Sequence, residues 1–187
     1  MRPLAPLLIA LLAAACAGGP VKTEITDAAD PLRYRRVGVL PFSDTLGGGR
    51  RLAELLGRGL FRLGFDVSDM SSIETVFARL DMDYSGGLSL QDLADIRRTT
   101  YVDAIIFGTV DSAPASADAP PRLRKVALIM LDAENGDIVL RTDYVPKGSR
   151  DPRRPEGIVE EILFSMKREL ERRSQGAATR RSPEELP

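Results

Sequence analysis

The stretch Tyr101-Val102-Asp103-Ala104-Ile105-Ile106-Phe107-Gly108-Thr109-Val110 decides the fold. Ala104 to Val110 is the strongest apolar run after the amino-terminal leader and reads as a sheet strand. Beyond it, Ser112 to Pro121 is small and proline-rich and reads as a loop. Two further strands follow, Arg124 to Asp132 and Asp137 to Tyr144. Asn135-Gly136 between them predicts a tight hairpin, because both residue types tolerate positive φ. Gly157 to Arg173 is an amphipathic helix with Ile158, Ile162, Leu163, Met166 and Leu170 turned inward.

Toward the amino terminus, Ser89-x-x-Asp92 is a capping box with Leu88 and Leu93 at staple positions. Ser71-x-x-Glu74 predicts a second capped helix that buries Ile73, Val76, Phe77 and Leu80. Phe65-Asp66-Val67 is a brief strand. The helix before it places Leu52, Leu55, Leu56, Leu60 and Leu63 on one face, pairs Glu54 with Arg58, and stops at Gly64. Arg35 to Phe42 is the opening strand. The order is β-α-β-α-α-β-β-β-α, in which right-handed crossovers make the first three strands parallel and the hairpin extends the sheet antiparallel. The expectation is one α/β domain over residues 33–173, a mixed sheet with helices packed on it. Residues 174–187 read as a polar, disordered tail.

The first residues are a targeting segment. Arg2 is a minimal positive region, Leu4 to Leu12 is apolar, and Ala13-Ala14-Ala15 leads to Cys16. That layout is a secretory signal over residues 1–15, too short for a spanning helix of about 20 residues. A cysteine after small residues resembles the lipobox of bacterial lipoproteins, which implies an acylated Cys16 as mature amino terminus. Ala13-x-Ala15 also fits a plain cleavage site. By the same resemblance, Ala17 after the cysteine points to the periplasmic face of the outer membrane. Residues 16–32 lack apolar periodicity and read as a tether. Its sixteen residues after Cys16 would reach roughly 20–25 Å, and at most about 55 Å when stretched.

Composition narrows the chemistry. A charge of −1 gives no field for nucleic acid, and the arginine clusters Arg33/Arg35/Arg36 and Arg150/Arg153/Arg154 read as solvated surface, with contact to anionic lipid head groups as the alternative. The chain has no histidine and one cysteine, so the commonest general base and any internal disulfide are missing. No paired acid and base stands out, and an enzyme is not expected.

Three signatures carry a family resemblance: Val37-Gly38-Val39-Leu40-Pro41-Phe42, then Tyr101 to Val110, then Leu131-Asp132-Ala133-Glu134-Asn135-Gly136-Asp137-Ile138-Val139. In this order behind a lipobox, over about residues 35–145, the chain resembles the superfamily of envelope proteins around the curli secretion lipoprotein, the penicillin-binding-protein activator (LpoB-like) lipoproteins and the TolB amino-terminal domain. The resemblance implies a scaffold or adaptor that binds envelope proteins and can form homo-oligomers, without catalysis or cofactor; the short reach of the tether implies partners near its own membrane. No strand alternates over the roughly 9–11 residues a membrane barrel needs.

Two local motifs offer other chemistry. Asp81, Asp83, Ser85, Ser89 and Asp92, with Gly86 and Leu88 between them, fit a calcium loop at positions 1, 3, 5, 9 and 12. The alternative function is therefore a calcium-responsive periplasmic module. Helix capping explains Ser89 and Asp92 equally, and aspartate at position 12 is shorter than the usual glutamate. Gly47-Gly48-Gly49 between a strand and a helix could cradle an anion, but it lacks the Gly-Lys-Ser/Thr ending of a phosphate loop and reads as a turn.

Overall fold

The computed structural model describes residues 20–27, 29–44, 46–80, 88–114, 122–146 and 154–180. Along the chain run β1 (Val21–Ile25), a 3-10 turn (Pro31–Arg33), β2 (Arg36–Val39), β3 (Ser43–Asp44) and α1 (Gly49–Arg62). Then come β4 (Asp66–Ser68), α2 (Met70–Leu80), α3 (Leu90–Thr100), β5 (Ala104–Ala113), β6 (Arg122–Asp132), β7 (Ile138–Tyr144) and α4 (Pro155–Arg180). One sheet holds every described strand in the order β1-β7-β6-β5-β2-β4, with β3 also on β5. The expected topology is present: β2 is parallel to both β4 and β5. The β6–β7 hairpin extends the sheet antiparallel. The α/β class read from the sequence is the class observed.

Five details differ. Val21–Ile25, assigned to the tether, is a further strand of the sheet, antiparallel to β7 from Val21↔Tyr144 to Ile25↔Leu140. It forms because Val21, Thr23 and Ile25 alternate with Lys22 and Glu24, so one face meets the core and the other meets water. The last helix continues to Arg180 rather than ending near Arg173. Gln175, Ala177 and Ala178 are good helix formers and carry the helix past Gly176, where the sequence would allow a stop. The β6–β7 turn is longer than a two-residue hairpin: Gly136 alone takes positive φ, at 76°. Its N–H bonds to the Asp132 carbonyl at 3.0 Å. Finally, α2 is not opened by Ser71-x-x-Glu74. Ser72 and Ile73 donate to the Asp69 carbonyl, and Glu74 turns away to Arg50. Glu54 likewise pairs with Arg50 instead of Arg58.

Helices cover the two sheet faces unequally. On the first face, α1 presses Leu52, Leu56 and Leu60 onto the sheet. Alongside it, α4 presses Ile158, Val159, Ile162, Leu163, Met166 and Leu170 against β1 and β7. Each such side chain contributes about 1.5–3 kcal/mol of burial. The two helices cross tightly at Gly59, where any Cβ would collide with a Leu163 methyl. On the second face, α2 and α3 bury Ile73, Val76, Phe77, Leu93 and Ile96 over Leu40, Val102, Ile105 and Leu131. Ser89 caps α3 in a complete box with Asp92, and Leu88 and Leu93 close the staple as the sequence indicates.

Candidate interaction surface

Because α2 and α3 sit over the parallel half, the antiparallel half of the second face carries no helix among the described residues. Strand alternation and register lay out its rows. Phe107, Ile129, Arg141 and Glu24 form one row, and Thr109, Ala127, Asp143 and Lys22 the next. Asp111 and Lys125 close the pattern. Phe107, Ala127 and Ile129 are half-buried, and the remaining side chains of these rows reach solvent. At the α3 end the surface gains two apolar groups, Leu90 (64 % exposed) and Ile138 (41 %). Leu90 packs toward the hairpin turn, lying 2.8 Å from where a Gly136 Cβ would sit.

The centre is thus apolar and the rim is charged in both signs. Lys22, Lys125 and Arg141 face Glu24, Asp111 and Asp143. Lys22 pairs with Glu24, and Lys125 meets Asp143 at 3.3 Å. The hydrogen bond to Glu24 raises the Lys22 ammonium above its ordinary value. A surface of this composition has the anatomy of a protein contact: an apolar patch flanked by balanced charge on its β7–β1 side and along the Asp111–Lys125 row.

The acids and glycines singled out by sequence are placed as follows. Cys16, Asp81, Asp83 and Ser85 lie outside the described residues. Asp92 accepts the Ser89 N–H at 2.8 Å as the acidic partner of the capping box. In the Ser43–Gly49 turn, the Asp44 carboxylate accepts the Leu46 N–H at 3.0 Å and the Gly48 N–H at 2.6 Å. Those two N–H groups of the turn are thereby occupied by the chain itself. Arg33, read as solvated surface, binds the buried Asp132 carboxylate, as does the Tyr34 hydroxyl at 2.8 Å. Asp103, the acid of the long apolar strand, accepts the N–H groups of Arg35 and Arg36 and so anchors the start of β2. Sequence reading missed the bare face altogether, since its boundary depends on where two helices stop. The alternation Val21-Lys22-Thr23-Glu24-Ile25 was the one legible trace of its outer strand.

Comparison with known proteins found no matching family model and no matching curated protein. Solved structures do match. Lipoprotein GNA1162 from Neisseria meningitidis superposes with a TM-score of 0.51 at 14% identity, covering 74% of this chain and 99% of that one. The dodecamer of a PelC point variant from Paraburkholderia phytofirmans gives 0.50 at 15% identity, covering 79% and 96%. The LpoB C-terminal domain from Salmonella enterica gives 0.45 at 12% identity, covering 64% and 88%. At these identities the first two establish a shared fold: this chain is built like a known lipoprotein and like the subunit of a known dodecamer.

Proposed function

We propose that this protein is a lipid-anchored scaffold of the bacterial cell envelope, held by an acylated Cys16 at the periplasmic face of the outer membrane. It works by assembling with copies of itself and with envelope proteins beside it. The observation that carries this reading is the helix-free half of the second sheet face. The occupant that fits it is a second copy. Three cationic and three anionic side chains lie on one patch around Phe107, Ala127 and Ile129, so a copy rotated to face it opposes unlike charges over apolar contact. The dodecamer formed by PelC, which shares the fold, supports the same reading.

Ala127 gives the cleanest test, being half-buried within the patch with no described helix above it. Ala127→Arg should leave the melting temperature within about 2 °C, as solvent-face substitutions do. It should abolish self-association measured by sedimentation at micromolar protein. Wild-type chain that remains monomeric across that range would sink the copy-to-copy reading. Crosslinks from Lys125 to a different envelope protein would then identify the occupant.

A further inference from the structure

Where the tether ends determines how the domain meets its membrane. With β1 beginning at Val21, the chain between Cys16 and the first strand is 17–20, only four residues. Four residues span at most about 14 Å, whereas the eleven-residue β6 is itself about 37 Å long. The Val145 N–H donates to the Pro20 carbonyl at 2.8 Å, so Pro20 is fastened beside the carboxyl end of β7. Register carries that end across the molecule: Val21 lies opposite Tyr144, Tyr144 opposite Val126, and Val110 opposite both Val126 and Asp44. The start of α1 is tied to the start of α4 at the same end by Arg51 and Glu156, 2.9 Å apart.

We infer that this end is a membrane-contact surface: the domain stands end-on upon the lipid head groups, with β1, β7 and β6 rising away from the bilayer. The inference rests on acylation of Cys16. The surface suits that partner. It exposes two apolar side chains, Val145 (52 %) and Leu46 (41 %), beside the exposed guanidinium groups of Arg124 and Arg154. Apolar side chains enter the head-group boundary while arginines pair with lipid phosphates. The opposite end carries the β6–β7 turn, Tyr101 and Leu90, and a four-residue tether cannot bring it down. The bare sheet face then stands upright, open sideways to neighbours anchored in the same leaflet.

The chain contains no tryptophan and a single cysteine, which makes a direct experiment possible. The chain from Cys16 onward is coupled through that thiol to a maleimide lipid in phosphatidylcholine–phosphatidylglycerol vesicles whose acyl chains are brominated. Tryptophan is placed at one exposed position near each end, Val145→Trp or Leu90→Trp. Emission from Val145→Trp should fall by about twofold relative to unbrominated vesicles, because the head-group boundary lies within about 5–10 Å of it. Leu90→Trp should be unchanged. Equal quenching of both, quenching of Leu90→Trp alone, or no quenching of either overturns the orientation. Chemical coupling imposes the anchor, so failure here is a failure of the geometry. The intact mass of the protein recovered from cells reports acylation separately.

Discussion

Asp132 shows how a residue that looks catalytic is consumed by structure. It is almost fully buried, and burial alone would push its carboxyl upward. Hydrogen bonds from the Glu134 N–H (2.7 Å), the Tyr34 hydroxyl and Arg33 outweigh that, and hold it below the ordinary carboxylate value. Arg33 also lies 4.8 Å over the Tyr34 ring, so the three side chains pin the segment before β2 to the hairpin. A lowered folded value means stability present above the unfolded value of about 3.9 and lost as pH falls below it. Asp132→Ala should cost about 1–3 kcal/mol at neutral pH, since it strands the Tyr34 hydroxyl and the Glu134 N–H. That cost, measured from urea midpoints, should shrink between about pH 4 and pH 2 as the wild-type carboxyl protonates. A cost independent of pH would show that Asp132 acts by shape alone. The sequence displayed Asp132 within a recognisable hairpin signature, but its partners come from residues 99 and 98 positions away. No local pattern encodes such a pairing.

The lesson at the level of elements is which periodicities survive. Helices α1, α3 and α4 were legible because their apolar residues recur at helical spacing and face one sheet. The capping box of α3 was legible because it is closed within four residues. The box expected at α2 failed because Glu74 had a better partner in Arg50, on another helix. Strand β1 went unread because five residues with two charges resemble a linker until β7 is known to lie alongside. Its pairing yields a sharp test. Thr26 donates to the Val139 carbonyl and Val145 to the Pro20 carbonyl, so the even-numbered residues from Pro20 to Thr26 face β7 and the odd ones face outward. Proline at Glu24 deletes a ladder donor, whereas proline at Val21 deletes one already pointing away. Glu24→Pro should therefore lose about 1–3 kcal/mol more than Val21→Pro. Equal losses in thermal melts would mean the register is shifted by one.

For the whole molecule, the anchor and the fold act together. No described helix is long and apolar enough to cross a membrane. On the proposed reading, attachment falls to the leader and its cysteine. Cys16→Ser should move the protein from the membrane fraction to the soluble periplasmic fraction. Intact mass of the wild type should show acyl chains on Cys16; an unmodified terminus would sink the anchor. The layered α/β architecture was readable from the sequence because it follows from element order and the handedness of crossovers. The half-covered sheet was not, since neither length nor periodicity says how far two short helices reach across seven strands.

Strand β1 also sets an order of events. It is the first described strand, yet its Thr23 hydroxyl meets Thr142 and Ser165, 119 and 142 positions later. A chain crossing a membrane amino terminus first must therefore leave β1 without a partner until the final hairpin has followed it. Closing so long a loop comes late in folding, after the local helices and the β6–β7 pair have formed. On the proposed reading, β1 is then still unpaired when an acylating enzyme meets Cys16. On the same reading, zipping of β1 onto β7 is the step that draws the finished domain down to the bilayer.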